Sequence, residues 1–307
     1  MTAIDIIIPF FNGSKFFQEQ LESILKNDVE NISLRLIIIN DASSSEETIF
    51  LKKLLPPNCI YIENDKNLGV IKSVEKGLKT STAPYIMLCD QDDVWLPNKI
   101  KDSLKRIVEI EGSAPALVYT DLVIVDSNLK TLHPSMHNFY QHNHQAVYPS
   151  ILFHNIVTGC TIIINRKLLE VSLPFPDKVT MHDHWIAICA VFAGKIALLD
   201  AATILYRQHG GNQIGAPSKS TFYKFTHFRE FVSKFYWHTE IKTAMSSALA
   251  LRLQEQNLPN EAVFIQRVVE ALARRNFFFL VKNRIIRGRF IRIIGQSALL
   301  LFKRRGA

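Results

Sequence analysis

Pro84-Tyr85-Ile86-Met87-Leu88-Cys89-Asp90-Gln91-Asp92-Asp93-Val94-Trp95 begins as a short apolar run and then breaks into three carboxylates within four residues. Tyr85 to Cys89 has the length and composition of a buried strand. Like charges this close cost free energy unless a cation or hydrogen-bond donors compensate them. At the end of a buried strand the expected compensation is a divalent metal. Aspartates are hard oxygen ligands suited to Mg²⁺ or Mn²⁺, and such sites join one or two carboxylates to substrate phosphates. The plainer reading is a solvated acidic turn in which Asp93 caps a helix starting near Leu96. The two are compatible if Asp93 caps while Asp90 and Asp92 face a ligand.

Strands and helices alternate at short spacing on both sides of this stretch. Ile4-Asp5-Ile6-Ile7-Ile8-Pro9 reads as a first buried strand ended by proline. Phe10-Phe11-Asn12-Gly13 turns into a helix over 14–26. A second strand over 34–39 ends in Asn40-Asp41-Ala42-Ser43-Ser44-Ser45, a polar cluster holding the N-cap of a helix that runs to 55. A strand over 59–62, the turn Glu63-Asn64-Asp65-Lys66-Asn67-Leu68-Gly69 and a helix over 70–79 follow. After the acidic stretch come a helix to 111 and a strand within 116–126. This alternation predicts βαβ units in a mostly parallel sheet covered on both faces. Ligands of such sheets bind beyond the carboxyl ends of the strands. The polar clusters at Asn12, Asp41, Asn67 and Asp90 to Asp93 all follow strands and should converge on one rim. Neither G-x-G-x-x-G after the first strand nor G-x-x-x-x-G-K-[ST] is present, so a dinucleotide fold and a P-loop are unsupported.

Farther along, residues 127–150 hold His133, His137, His142 and His144 at spacings unlike a metal-binding helix, and read as a flexible loop over a site. Residues 156–164 read as a strand broken by Gly159, a residue that marks close approach of a ligand or backbone. Asp183 opens a helical run, where the macrodipole and free amides favour a carboxylate; simple N-capping explains it equally well. A strand over 195–205 leads into Tyr206-Arg207-Gln208-His209-Gly210-Gly211, a loop suited to closing over a ligand. Helices are expected over 222–255 and 261–282, with Phe225, Phe228, Phe231, Phe235 and Trp237 as packing residues.

The net charge of +8 is localised. Lys282, Arg284, Arg287, Arg289, Arg292, Lys303, Arg304 and Arg305 lie in the last 32 residues without an acid, leaving the body balanced. A nucleic-acid partner would place basic charge on the folded body, so none is expected. The basic, isoleucine-rich tail is expected to meet an anionic membrane surface, with a homodimer contact as the alternative. Cys59, Cys89, Cys160 and Cys189 are far apart and sit in or beside apolar runs, as buried thiols of a reducing compartment do. With a strand-like start and no apolar span of about 18 residues, neither a secretory signal nor a membrane crossing is expected. The expected location is cytoplasmic, peripherally associated with the inner face of the cell membrane.

Ile7-Ile8-Pro9-Phe10-Phe11-Asn12, Ile39-Asn40-Asp41-Ala42-Ser43, Asn67-Leu68-Gly69, Asp90-Gln91-Asp92-Asp93-Val94-Trp95 and Tyr206-Arg207-Gln208-His209 together resemble the family 2 glycosyltransferases. The similarity is closest to bacterial rhamnosyltransferase-like enzymes of O-antigen and capsule assembly. It covers about residues 3–215 and not the last third, which divides the chain into a transferase domain (1–215) and a helical extension with a basic tail (216–307). The resemblance implies a GT-A fold, a nucleotide-sugar donor (dTDP-rhamnose or a UDP-hexose), Mg²⁺ or Mn²⁺, inversion at the anomeric carbon and a lipid-linked glycan acceptor. It implies that the turn at Pro9, Phe10 and Asn12, with Asp41, holds the base and ribose. Asn67 and Gly69 would lie near the same ligand, and Gln91 within the D-x-D element. Asp90 would face the ribose or metal, Asp92 the metal and diphosphate, and His209 would be a third ligand or phosphate donor. Asp183 occupies the position of the acceptor-activating base; His182 stands where many members have glutamate. The competing readings are a sugar nucleotidyltransferase, which should carry a glycine- and basic-rich loop after the first strand, and a membrane-tethered binding protein without catalysis.

Overall fold

The computed structural model describes residues 1–142, 144, 147–209 and 228–286, with backbone alone over 228–238. The expectations for Gly210, Gly211, the aromatic side chains over 225–237 and the basic tail from Arg287 onward lie outside the described residues. Two compact units result. One takes Met1–His144, Val157–Phe175 and Met181–Gln213; the other takes Gln145–Ile156, Pro176–Thr180 and Ile214–Ala307.

The first unit is built on a nine-stranded sheet. Its strands are β1 (Thr2–Phe10), β2 (Ile32–Asn40), β3 (Ile60–Glu63), β4 (Tyr85–Leu88), β5 (Val94–Trp95), β6 (Ala116–Val125), β7 (Thr131–His133), β8 (Ile163–Asn165) and β9 (Lys195–Arg207). They lie in the order β3-β2-β1-β4-β8-β6-β9-β5, with β7 paired to β6. β3, β2, β1 and β4 are parallel neighbours, as are β6 and β9. β8 runs antiparallel between β4 and β6, so those two strands point the same way. The sheet is therefore parallel in the direction of its main strands but mixed in its pairing. Successive residues Ile6, Ile7 and Ile8 are all fully buried, which requires cover on both faces of β1.

Proline does not end the first strand. Pro9 pairs in register with Ile39 and the strand continues through Phe10. On the β4 side the ladder closes with the Cys89 amide donating to the Ile7 carbonyl at 3.0 Å. Backbone groups alternate sides along a strand, so the missing N–H of Pro9 falls on the side β4 has already left.

The helices of this unit are α1 (Ser14–Leu25), α2 (Ser45–Leu54), α3 (Val70–Thr80), α4 (Lys99–Glu111), α5 (Met136–Tyr140), α6 (Arg166–Ser172) and α7 (His182–Ala193). α1 buries Phe17, Leu21 and Ile24, a stripe one helical face wide. Ser44 caps α2 by accepting from the Glu47 amide. The strand expected across Gly159 is a 3-10 turn, Gly159–Thr161, because the Thr161 hydroxyl and amide both donate back to the Thr158 carbonyl, at 2.7 and 2.9 Å. Part of the expected loop over 127–150 is ordered as β7 and α5.

The second unit is helical where it is described. α8 (Phe228–Glu255), α9 (Pro259–Ala273) and α10 (Phe277–Lys282) pack with Met245, Leu249, Leu253, Ile265, Val268, Leu272 and Leu280 buried. The single helix expected over 261–282 is two. Arg275 is left-handed (φ 54°) and Asn276 caps the next helix through the Phe279 amide. No helix of the described residues is long and apolar enough to cross a membrane.

Candidate functional site

The carboxyl ends of β1, β2, β3 and β4 lie on one rim, and side chains stitch each loop to the next. Asn12, itself left-handed (φ 47°), receives the Ser44 amide on its side-chain oxygen at 3.0 Å and donates its own amide to the Ser43 hydroxyl at 3.1 Å. Phe10 turns its ring inward, edge-on to Phe17 at 5.0 Å, and offers the rim only backbone; its carbonyl accepts from Asp41 N at 2.8 Å. The buried Asp41 carboxylate accepts from Asn64 Nδ2, Leu68 N and Gly69 N, each at 2.8 Å. Asn67 donates to the Asp41 carbonyl at 3.3 Å. Asp41 thus builds the 64–69 turn and retains about one of a carboxylate's four acceptor positions for anything else. Gly69 has φ 81° with open space where a Cβ would point, so glycine is required there by conformation and not by crowding.

Gln91 clamps the acidic loop to the end of β1. Its Oε1 accepts from Phe11 N at 2.8 Å and its Nε2 donates to Phe11 O at 3.2 Å. A Cβ on Gly13 would stand 2.4 Å from Gln91 Oε1. Gly13→Ala is therefore expected to swing Gln91 away and to cost roughly 1–2 kcal/mol for the two lost hydrogen bonds. Gln91→Ala should cost about the same. The double variant, measured by denaturant unfolding, should be no worse than either single; additive losses would refute the clamp.

Asp90, Asp92 and Asp93 have separate fates. Asp93 is fully buried and does not cap a helix; α4 starts later, at Lys99. Its Oδ1 accepts from Arg207 N at 3.1 Å. Asp92 keeps part of its side chain exposed, and its Oδ2 stands 2.9 Å from His209 Nε2. The His209 ring in turn packs at a tilt against Phe16, ring centroids 5.0 Å apart. Burial, then the charges of Asp92 and Asp183, push Asp90 up to about 7. One ligand atom each from Asp90, Asp93 and Cys160 lies within 4.8 Å of the other two, a candidate metal-binding cluster. Burial holds the Cys160 thiol well above its ordinary value, so it serves the two carboxylates as a hydrogen-bond donor. Carboxylate oxygens are the donors that suit a hard divalent ion, and the mutual repulsion of the aspartates is the cost such an ion relieves; the expected set of Asp90, Asp92 and His209 is not the one whose ligand atoms lie within 4.8 Å of one another.

Asp183 sits in the first turn of α7. Its Oδ2 accepts the Gly159 amide at 3.0 Å, and its Oδ1 the amide of His184. The close approach that Gly159 permits is to these residues: a Cβ there would stand 2.9 Å from His182 Nε2. His182 is buried, and desolvation pushes it down to about 4. A folded-state value below the unfolded one of about 6.5 means that the unfolded chain alone takes up this proton as pH falls from 7. The linked loss of stability is absent above about pH 6.5 and reaches roughly 2 kcal/mol by about pH 5. Denaturant unfolding at the two pH values should show a smaller acid loss in His182→Gln; an equal loss would remove His182 as the cause.

Two residues at the site were given no role in the sequence reading, although Arg207 stands within the Tyr206-Arg207-Gln208-His209 stretch. Arg207, 2% exposed, donates from Nε to the Asp92 carbonyl at 2.8 Å, from one terminal nitrogen to Ser127 O at 2.8 Å and from the other to Glu19. Its guanidinium lies 4.4 Å over the Phe16 ring. Lys99 is fully buried beneath the acidic loop, its Nζ 4.8 Å over the Trp95 ring, and burial pushes it down to about 8. Neither belongs to a charge pattern that stands out along the chain.

Comparison with known proteins matches this chain to a family. The model of Glycosyl transferase family 2 matches residues 5–171, more than half of the chain. The dTDP-rhamnosyl transferase RfbG of Shigella flexneri is 26% identical over 257 residues, covering 78% of this chain and 83% of that protein. An uncharacterized glycosyltransferase of Rickettsia prowazekii, RP339, is 28% identical over 171 residues, 54% of this chain and 51% of its own length. The chain thus spans about half the length of that relative and of its Rickettsia typhi counterpart RT0329. Among solved structures, residues 1–349 of Staphylococcus aureus TarS with UDP-GlcNAc superpose with a TM-score of 0.55 at 17% identity, covering 91% of this chain and 73% of that one. The UDP complex of the same protein gives 0.54 at 16%, covering 90% and 92%. The likeness extends to the GT-A-like α/β sheet followed by helices. With its sheet, the acidic rim on it and the family model in agreement, this chain belongs to glycosyltransferase family 2, a family of nucleotide-sugar-dependent enzymes.

Proposed function

We propose that the chain is an inverting glycosyltransferase that moves a sugar from dTDP-rhamnose or a UDP-hexose to a lipid-linked glycan acceptor in bacterial cell-surface polysaccharide synthesis. The observation that carries this reading is the approach of three groups at one rim: the Asp92–His209 pair at 2.9 Å, Asp90 beside it, and Asp183, whose charge is felt at Asp90. The kinship with the Shigella flexneri dTDP-rhamnosyl transferase supports dTDP-rhamnose, and the TarS complex supports a UDP-sugar in the same frame. Asp90, Asp92 and His209 would hold Mg²⁺ or Mn²⁺, which when bound neutralises the diphosphate leaving group as a Lewis acid.

The chain's own residues do the rest. The loops at Asn12, Asp41, Asn67 and Gly69 cradle base and ribose with backbone that the Asp41 hydrogen bonds hold still. Asp183 takes the proton of the acceptor hydroxyl as it attacks the anomeric carbon from the face opposite the leaving diphosphate. One displacement inverts the centre, through a transition state with oxocarbenium character. Residues 1–215 carry this chemistry. The basic tail of the 216–307 extension brings the enzyme to the cytosolic membrane face, where a lipid-linked acceptor lies.

A panel of UDP-, dTDP- and GDP-sugars, with Mn²⁺ or Mg²⁺ and with EDTA, tests the reading through release of nucleoside diphosphate with acceptor present. Release from one donor is expected, lost with EDTA and lowered roughly 100-fold or more in Asp92→Ala. Nucleotide binding without turnover would favour the non-catalytic binding protein. The nucleotidyltransferase reading predicts pyrophosphate chemistry instead, and Phe10-Phe11-Asn12-Gly13 lacks the basic glycine-rich loop it needs.

A further inference from the structure

The second unit holds an aromatic side chain out in water on a capped corner. α9 ends at Ala273, where Arg274 N still donates to the Glu270 carbonyl at 2.9 Å. Arg275, left-handed, reverses the chain, and Asn276 N closes the turn on the Ala271 carbonyl at 2.7 Å. The Asn276 side chain then starts α10 by accepting the Phe279 amide at 3.1 Å. Leu280, Ile285 and Ile286 are buried and fasten the inner side of the corner. Phe278 stands two residues before Leu280, about 200° away around a helix, and is 77% exposed. Val281, three residues farther on and on the same face, is 36% exposed. Arg274 and Arg275 precede this face and Lys282 and Arg284 follow it, all of them exposed. No acid follows Glu270 through Ala307 to balance these cations.

We propose that this α9–α10 corner is a membrane-docking surface: Phe278 and Val281 enter the headgroup boundary of an anionic bilayer while Arg274, Arg275, Lys282 and Arg284 meet the lipid phosphates. This deepens the membrane reading of the basic tail, because it supplies the apolar part of the attachment and names its residues. Single exposed apolar residues are ordinary on protein surfaces. A phenylalanine held clear of the core and bracketed by exposed cations is the composition of an interfacial anchor. Charge selects the occupant. A second copy docking through a two-fold contact would set the same cations against one another. The tail over 287–307 carries Arg287, Arg289, Arg292, Lys303, Arg304 and Arg305 with no acid, so it repels the corner and does not neutralise it. An anionic lipid surface is complementary to both, each basic residue near it strengthening binding roughly fivefold. Attachment by charge alone is screened by salt, whereas an apolar side chain below the headgroups is not. With only 6 residues, α10 is too short to lie in the interface by itself, so Phe278 acts as a point anchor on a folded unit.

The test is flotation of the full chain with vesicles of phosphatidylcholine and phosphatidylglycerol, at low and at high salt, with pure phosphatidylcholine as the control. The wild type should bind the anionic vesicles, keep part of that binding at high salt and bind the neutral vesicles far less. Phe278→Ser should weaken binding roughly tenfold or more and lose what is left at high salt. Phe278→Leu should restore most of it. Lys282→Gln should lower binding roughly fivefold, at low salt only. Because Phe278 is mostly exposed, Phe278→Ser should melt with the wild type, which separates lost binding from lost fold. A second readout is depth: in Phe278→Trp, with the wild-type tryptophan signal subtracted, emission should shift to the blue on anionic vesicles and be quenched by brominated acyl chains. None of these measurements reads sugar transfer, so failure of the transferase reading would leave them standing. Vesicle binding by Phe278→Ser equal to that of the wild type, no binding by the wild type, or an unshifted emission in Phe278→Trp would each overturn the proposal. So would a concentration-dependent dimer in sedimentation that Phe278→Ser abolishes, which would assign the face to a second copy.

Discussion

Asp183→Asn is expected to lower kcat for sugar transfer by about 10²–10⁴-fold, the usual contribution of a general base, while nucleotide binding stays as in the wild type. The acceptor hydroxyl is a poor nucleophile because its proton is held tightly. A carboxylate within reach removes that proton as the new bond forms; an amide has no basic lone pair to do so. Asparagine is close to isosteric, but it does not reproduce every contact. Both Asp183 oxygens accept backbone amides, those of Gly159 and His184, and the asparagine Nδ2 can accept from neither. A loss of roughly 1–3 kcal/mol in stability should accompany the change. Asp183→Ser, which removes both the base and the bulk, separates the two effects: it should be as inactive as Asp183→Asn whatever its melting temperature. Transfer in Asp183→Asn within tenfold of the wild type, at saturating donor and acceptor, would show that another group takes the proton.

Much of the rim could be read in the sequence because it depends on local pattern. Ile6-Ile7-Ile8 can only be a strand buried on both faces, and the polar residues after β1, β2, β3 and β4 must share an edge once those strands are parallel. What could not be read depends on partners distant along the chain. A carboxylate a few residues before a helix looks like a cap, yet Asp93 is claimed by the Arg207 amide, 114 residues away. β8 runs against its neighbours β4 and β6, and nothing in Ile163-Ile164-Asn165 announces that orientation. The turn at Gly159 is hidden because its flanks, Val157 and Ile162 to Ile164, are as apolar as a strand; the Thr161 hydroxyl and amide, bonded back to the Thr158 carbonyl, decide it. The approach of His137, His142 and His144 has no signature in their spacing, since it follows from a left-handed residue at Gln141 and from Tyr119 on β6, whose Oη meets His144 Nδ1 at 2.8 Å.

The second large effect is expected at Arg207. Arg207→Lys keeps the charge and should still lower stability by roughly 3 kcal/mol or more, because the guanidinium is buried and its planar fork serves three acceptors on three elements. An ammonium on a single stem cannot reach the carbonyls of Asp92 and Ser127 and the Glu19 carboxylate together. Each partly buried carbonyl left without a donor costs about 1 kcal/mol or more. For a domain of this size that corresponds to a fall of roughly 6–12 °C in melting temperature. The backbone bond from Arg207 N to Asp93 survives, so the strand end should stay in place while the acidic loop loosens. Function should follow the loop: the Mn²⁺ concentration needed for half-maximal transfer should rise more than kcat falls, since Asp92 and His209 lose a common support. Phe16→Leu sharpens the test, because Phe16 lies under both the guanidinium and the His209 ring. Its contribution is only about 0.5–1.5 kcal/mol, yet the metal requirement should move in the same direction. If Arg207→Lys melts with the wild type, the fork is not what holds the loop. If it is destabilised and its metal requirement is unchanged, Arg207 supports the fold but not the site. A rise in metal requirement in both variants, out of proportion to the small loss of stability in Phe16→Leu, is the result that ties this buried arginine to the geometry of Asp92 and His209.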